Sequence, residues 1–146
     1  MNWQAQEITV KYNRTVPLEE LQEITSPIDS EDYLRSIWED INLYESFYIL
    51  VLSQSNKVIG WRRISTGGIA GTVVDVRIIL NLCLQCQGTA CIIAHNHPSG
   101  NLNPSRTDRA LTSKIKNALK LIDVQLLDHL ILTENDFYSF VNEDKL

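Results

Sequence analysis

The stretch Ala94–Asp108, AHNHPSGNLNPSRTD, follows directly on the apolar run TACIIA (Thr89–Ala94). A short apolar run bounded by Gly, Pro and Asn reads as a buried strand that stops at the histidines. Two of the chain's three histidines, His95 and His97, stand one residue apart at that end. Side chains alternate along a strand, so both imidazoles point the same way. Paired imidazoles suit zinc, which takes nitrogen at about 2.0–2.1 Å. The turn PSGNLNPS (Pro98–Ser105) is rich in residues that reverse a chain tightly. Ser105 can cap a following helix, which places Asp108 in its first turn, where a fold-back onto the histidines is possible. Two histidines, a carboxylate and a water would make an open catalytic zinc site. On spacing alone, a His-X-His pair is about equally compatible with an ordinary surface pair.

The flanking sequence places this stretch in a mixed fold. Upstream, ESFYILVLSQSNKVIGWRRIS reads as a buried strand at Phe47–Leu52, a turn, and a return strand at Val58–Ile64. Val73–Gln87 is apolar at helical length, with Gly88 where a C-cap belongs. Downstream, a helix runs from Ser105 to about Leu121. VQLLDHLILT then reads as one long strand or a strand pair, and FYSFVN as a last short one. Near the start, ITVKY within residues 1–16 alternates like a polar strand. Leu18–Glu23 and Ser30–Asp40 carry helical signals, with Pro27 as a breaker between them and Ser30 as N-cap of the second. Helices and strands around one sheet make an α/β domain.

The totals set limits. The chain has 146 residues, enough for one domain with a sizeable core. The net charge of -5 argues against a phosphate-backbone partner. No apolar run reaches the eighteen or so residues of a membrane span, and the N-terminus lacks a signal-peptide core. Three cysteines, an odd count, fit reduced thiols in a cytoplasm.

His95-Asn-His97, seven residues, Ser105, two residues, Asp108 resembles the His-X-His-X7-Ser-X2-Asp signature of JAMM (MPN-type) metalloproteases. The fuller string HNHPSGNLNPSRTD resembles the bacterial RadC branch of that superfamily. ESFYILVLSQSNKVIG, the loop STGG and LLDHLIL extend the likeness from about Ser30 to the C-terminus. The resemblance implies a JAB/MPN domain over residues 30–146 behind an N-terminal extension of residues 1–29. Its architecture would be cytidine-deaminase-like, a mixed sheet flanked by helices in three layers. The helix-hairpin-helix region that precedes this domain in full-length RadC proteins is not expected in so short an upstream segment.

By the same resemblance His95, His97 and Asp108 are the zinc ligands, one zinc per chain. Ser105 steadies the water or the oxyanion. Glu45, immediately before FYILVL, is the general base, with Glu39 as the second choice. The implied activity is zinc-dependent hydrolysis of peptide or isopeptide bonds in a protein or peptide substrate. The alternative is a non-proteolytic DNA-repair-associated or interaction factor that keeps the metal site. The resemblance does not specify an oligomeric state.

Other groupings carry less. Cys83-X2-Cys86 with Cys91 and His95 has the residues of a structural zinc site, but these cysteines lie in apolar stretches and read as core. Trp61-Arg62-Arg63 is too small for a nucleic-acid surface. Arg106 and Arg109 flank the motif and suit either helix-surface charge pairing or an acidic substrate terminus. Asp128 and His129 are adjacent and so face opposite ways; one of them is expected to support the zinc ligands from behind. STGGIAG lacks the lysine of a phosphate loop and reads as a flexible loop near the cleft.

Overall fold

The computed structural model describes residues 4–67 and 73–146. Most of the loop STGGIAG therefore lies outside the described residues. The elements run α1 (Pro27–Ile37), β1 (Ser46–Leu52), β2 (Val58–Thr66), α2 (Val76–Gln85), β3 (Ala90–Asn96), α3 (Arg106–Lys120), β4 (Gln125–Leu132) and β5 (Phe137–Ser139). The strands form one mixed sheet in the order β2-β1-β3-β4-β5. β1 is antiparallel to both β2 and β3, β4 is parallel to β3, and β5 is antiparallel to β4. A parallel neighbour requires a crossover, and α3 provides it.

The sheet is apolar on both faces, which explains why β1 and β3 are buried along their whole length. Tyr48, Leu50, Leu52, Ile92, Ala94, Leu130 and Leu132 pack with Leu34 of α1. Phe47, Ile49, Val51, Cys91, Ile93 and Leu126 pack with Ile79 and Cys83 of α2 and with Ile115 and Leu119 of α3. The result is the three-layer α/β arrangement of a JAB/MPN fold, with α1 on one face and α2 and α3 on the other.

Several sequence expectations are corrected. The ITVKY segment forms no strand among the described residues: Ile8 and Val10 are 88% and 68% exposed, and alternation makes no strand without a ladder partner. The Tyr12 hydroxyl donates to the Ile59 carbonyl. Leu18–Glu23 yields only a 3-10 turn at Leu18–Glu20, with no side-chain cap at Pro17. Pro27 begins α1 rather than separating two helices, because a proline at the first helical position loses no backbone bond. Ser26 is the N-cap, in a capping box with Asp29, while Ser30 lies buried in the first turn. α1 stops at Ile37, before Asp40. α2 starts at Val76 behind an Asp75 cap and ends at Gln85. VQLLDHLILT is a single strand.

Gly88 is not the left-handed residue after α2; Gln87 takes that conformation, with φ of 53°. Gly88 serves close packing instead. A Cβ there would lie 2.3 Å from Cγ1 of the buried Val51 on β1. Gly88→Ala is predicted to destabilise the fold by about 1–3 kcal/mol through overpacking. Chemical denaturation of the single variant and of Gly88→Ala/Val51→Ala checks this. The double variant should lose less than the sum of the singles, and strict additivity would contradict the contact.

Candidate metal centre

β3 ends in the middle of the sheet, and its last residues carry the site. His95 is 2% exposed on the α3 side, and His97 follows just beyond the strand. Their Nε2 atoms are 3.0 Å apart. The chain turns through Pro98–Pro104, and Ser105 caps α3 by accepting from the Asp108 N–H at 3.0 Å. In the reciprocal half of this capping box, Asp108 Oδ2 accepts from the Ser105 N–H at 2.8 Å. That orientation turns the carboxylate onto the imidazoles. Oδ1 lies 3.3 Å from His95 Nε2, and Oδ2 lies 3.3 Å from His97 Nε2.

Glu45 arrives from the other side. Because β1 runs antiparallel to β3, the start of β1 lies beside the end of β3, with Phe47 opposite His95. The wholly buried Asn96 holds this entry in place. Its amide nitrogen donates to the Ile41 and Tyr44 carbonyls at 2.7 and 2.8 Å, and its oxygen accepts from the Ser46 N–H at 2.7 Å. One side chain thus grips the backbone on both sides of Glu45. Glu45, His95, His97 and Asp108 each bring one ligand atom into a cluster in which all lie within 4.8 Å of one another.

The donor set fits a metal ion. Ligands about 2.0–2.1 Å from a tetrahedral zinc stand roughly 3.3–3.4 Å apart, close to the 3.0 and 3.3 Å separations here. His97 Nδ1 faces the Asn101 carbonyl at 2.5 Å. That oxygen can only accept, so the His97 proton sits on Nδ1 and Nε2 is left without one, as a ligand atom would be. The Asp108 carboxylate facing it raises the His97 pKa, against the opposing effect of burial. Burial pushes the Asp108 carboxyl up, but the two imidazoles facing it at 3.3 Å overcome this and hold it well below the usual carboxylate range.

Behind His95 lies His129 of β4, wholly buried, with Nε2 2.8 Å from His95 Nδ1. Its Nδ1 is 2.6 Å from Thr112 Oγ1 on α3. Of the Asp128–His129 pair, His129 is therefore the one that backs a histidine of the cluster. Asp128 is occupied by the Ser139 hydroxyl at 2.6 Å and the Val141 N–H at 3.1 Å.

Other candidates are dispersed. Glu39 is exposed and lies 3.5 Å from Arg63. Cys83 and Cys91 are buried and hydrogen-bonded to each other, and Cys86 is half-buried. Arg106 and Arg109 are exposed. No helix among the described residues is long and apolar enough to cross a membrane.

Sequence reasoning missed Asn96 and Thr112. Thr112 stands four residues after Asp108, one helical turn on, and that spacing was the available signal. Asn96 sits between the histidines and so faces the opposite side of the strand, toward the Glu45 loop.

A family model described as "RadC-like JAB domain" matches residues 24–146. A UPF0758 protein of Flavobacterium johnsoniae is 49% identical over 123 residues, covering 84% of this chain and 53% of that protein. One from Shewanella baltica is 39% identical over 130 residues, covering 87% and 57%. One from Porphyromonas gingivalis is 34% identical over 140 residues, covering 94% and 62%. The chain spans between 53% and 62% of the length of these relatives.

Asn96→Ala is predicted to leave the buried Ser46 N–H without its partner and to lower stability by about 1–3 kcal/mol on that account alone. A urea titration followed by circular dichroism checks this, and an unchanged midpoint would contradict the role given to Asn96.

Proposed function

Because the chain belongs to the RadC-like JAB domain family, we propose that it is a zinc-dependent hydrolase of peptide or isopeptide bonds. One observation carries the reading: two imidazole nitrogens and a carboxylate converge at 3.0–3.3 Å, with a second carboxylate in the same cluster. His95, His97 and Asp108 would hold one zinc, and Glu45 would stand beside its open position. Zinc held there would lower the pKa of a bound water towards about 7 and polarise a carbonyl oxygen.

The chain's own residues do the rest. The Glu45 carboxylate accepts a proton from the attacking water and returns it to the leaving amine nitrogen. The backbone grip of Asn96 fixes where that carboxylate enters. Ser105 Oγ accepts from the Asp108 N–H, and its own O–H proton is left to donate to the carbonyl oxygen as negative charge develops there. Donors of this kind contribute about 3–4 kcal/mol to the barrier where they have been removed in other enzymes. A cleft of about 410 Å³ is lined by Asn42, Pro98, Ser99, Thr133 and Glu134, with Pro98 next to His97 in the chain. Its mixed donors and acceptors suit an extended peptide backbone.

A role in binding nucleic acid has less support. The net charge is -5, and Arg63 is already paired with Glu39. Salt-dependent retention on DNA would favour that second reading. Zinc binding with no turnover of a broad peptide library would favour an interaction module.

His97→Ala is predicted to abolish stoichiometric zinc by metal analysis, and full zinc content in that variant would overturn the ligand set. Glu45→Gln should retain zinc and lose hydrolysis by about 100-fold or more, as expected for a missing acid–base group. Undiminished turnover in Glu45→Gln would overturn the assigned base.

A further inference from the structure

We infer that Thr112 and His129 are positioning residues for His95. Together they hold its proton on Nδ1 and leave Nε2 as a bare lone pair facing His97 and Asp108. The inference rests on the metal-centre reading only for the purpose of that lone pair; the proton placement follows from hydrogen bonds within the chain.

The direction of the chain of bonds is set at one end. The Asp108 backbone carbonyl can only accept. Thr112 Oγ1 lies 2.7 Å from it and spends its single proton there. Toward His129, 2.6 Å away, the threonine oxygen can then only accept, so His129 carries its proton on Nδ1. His129 is wholly buried against Phe47 and Phe140, and its ring nitrogens meet Thr112 Oγ1 and His95 Nδ1, neither of them a carboxylate; a charged ring is disfavoured there, so this ring has one N–H. Its Nε2 is accordingly an acceptor. His95 Nδ1, 2.8 Å away, is the donor. A neutral His95 with its proton on Nδ1 presents only a lone pair at Nε2. The opposite arrangement would set the Thr112 and Asp108 oxygens 2.7 Å apart with no proton between them.

Packing holds the rings to this pattern. His129 stacks on Phe140 with centroids 4.8 Å apart and planes 9° from parallel, and Phe47 lies 5.8 Å away on a tilt. A bulge in β4 puts His129 on the required face. Leu126 pairs with Cys91 and Asp128 with Ile92, so Leu127 is an extra residue that inverts the alternation beyond it. With regular pairing His129 would face α1. With the bulge it faces α3 and Thr112.

The chain of bonds starts at the carbonyl of Asp108, passes through Thr112 and His129 and ends at His95, whose Nε2 lone pair faces the Asp108 carboxylate at 3.3 Å with no proton between them. His97 reaches the same tautomer independently, through the Asn101 carbonyl. Two lone pairs 3.0 Å apart repel each other unless a cation lies between them.

Long-range proton–nitrogen NMR of the metal-free protein reads each tautomer directly. His95 and His129 are expected as Nδ1–H forms. Thr112→Val, which keeps the shape and deletes the hydroxyl, should mix the tautomers of both rings. It should also weaken zinc affinity by about ten- to a hundredfold in a chelator competition, the usual effect of losing a partner behind a ligand. Thr112→Ser should restore both readouts. An Nε2–H tautomer at His95 in the wild type would overturn the inference, as would tautomers and affinity unchanged in Thr112→Val. The expected tautomers in a wild-type protein that binds no zinc would sink the metal reading and leave the chain of bonds standing.

Discussion

The carboxylate of Asp108 is shared between two jobs, and the rest of the site follows from that sharing. One oxygen accepts the Ser105 N–H and so closes the start of α3. The same carboxylate faces His95 and His97 at 3.3 Å. Forming the helix and forming the cluster are therefore one event. The negative charge is favourable at the helix N-terminus whether or not an ion is present. A carboxylate held in position in this way would cost less ordering on binding an ion.

The sheet supplies the second constraint. β3 lies between an antiparallel neighbour, β1, and a parallel one, β4. At the end of β3 the chain therefore meets the beginning of β1 and the end of β4. The first brings Glu45, tied down by Asn96. The second brings Leu132, whose carbonyl accepts from the His97 N–H at 2.8 Å. Below this rim both faces of β3 are buried in the apolar layers, so His95 stands on a rigid strand and His97 directly beyond its end. That is the setting in which ligand geometry is best kept.

Much of this was legible in the sequence, for reasons that can be named. The His-X-His spacing at the end of an apolar run fixed the shared face of the imidazoles. Ser105 and Asp108, three apart, carried a capping box whose geometry the structure displays. Cys83 and Cys91 read correctly as core because they stood in apolar periodicity. The errors lie where tertiary context overrides local pattern. ITVKY alternates but joins no strand ladder among the described residues, and the end of Leu18–Glu23 gives its backbone to Val58 and Lys57 at the start of β2 rather than to a helix. At Pro27 and Gly88 a residue has several uses, and packing chose between them. The role of His129 was left open between two neighbours because the β4 bulge, which decides the face, has no mark in the sequence. Thr112 was invisible for a related reason: its importance lies in a bond across two elements.

The account stands on a set of nitrogen and oxygen ligands drawn from the end of β3 and the first turn of α3, with the three thiols playing no part. X-ray absorption at the zinc edge, on the protein loaded with one equivalent of zinc, tests this most directly. Only nitrogen and oxygen neighbours should appear, at about 2.0–2.1 Å, with outer-shell scattering that corresponds to two imidazole rings. A sulfur neighbour at about 2.3 Å, or a spectrum without imidazole scattering, would contradict it.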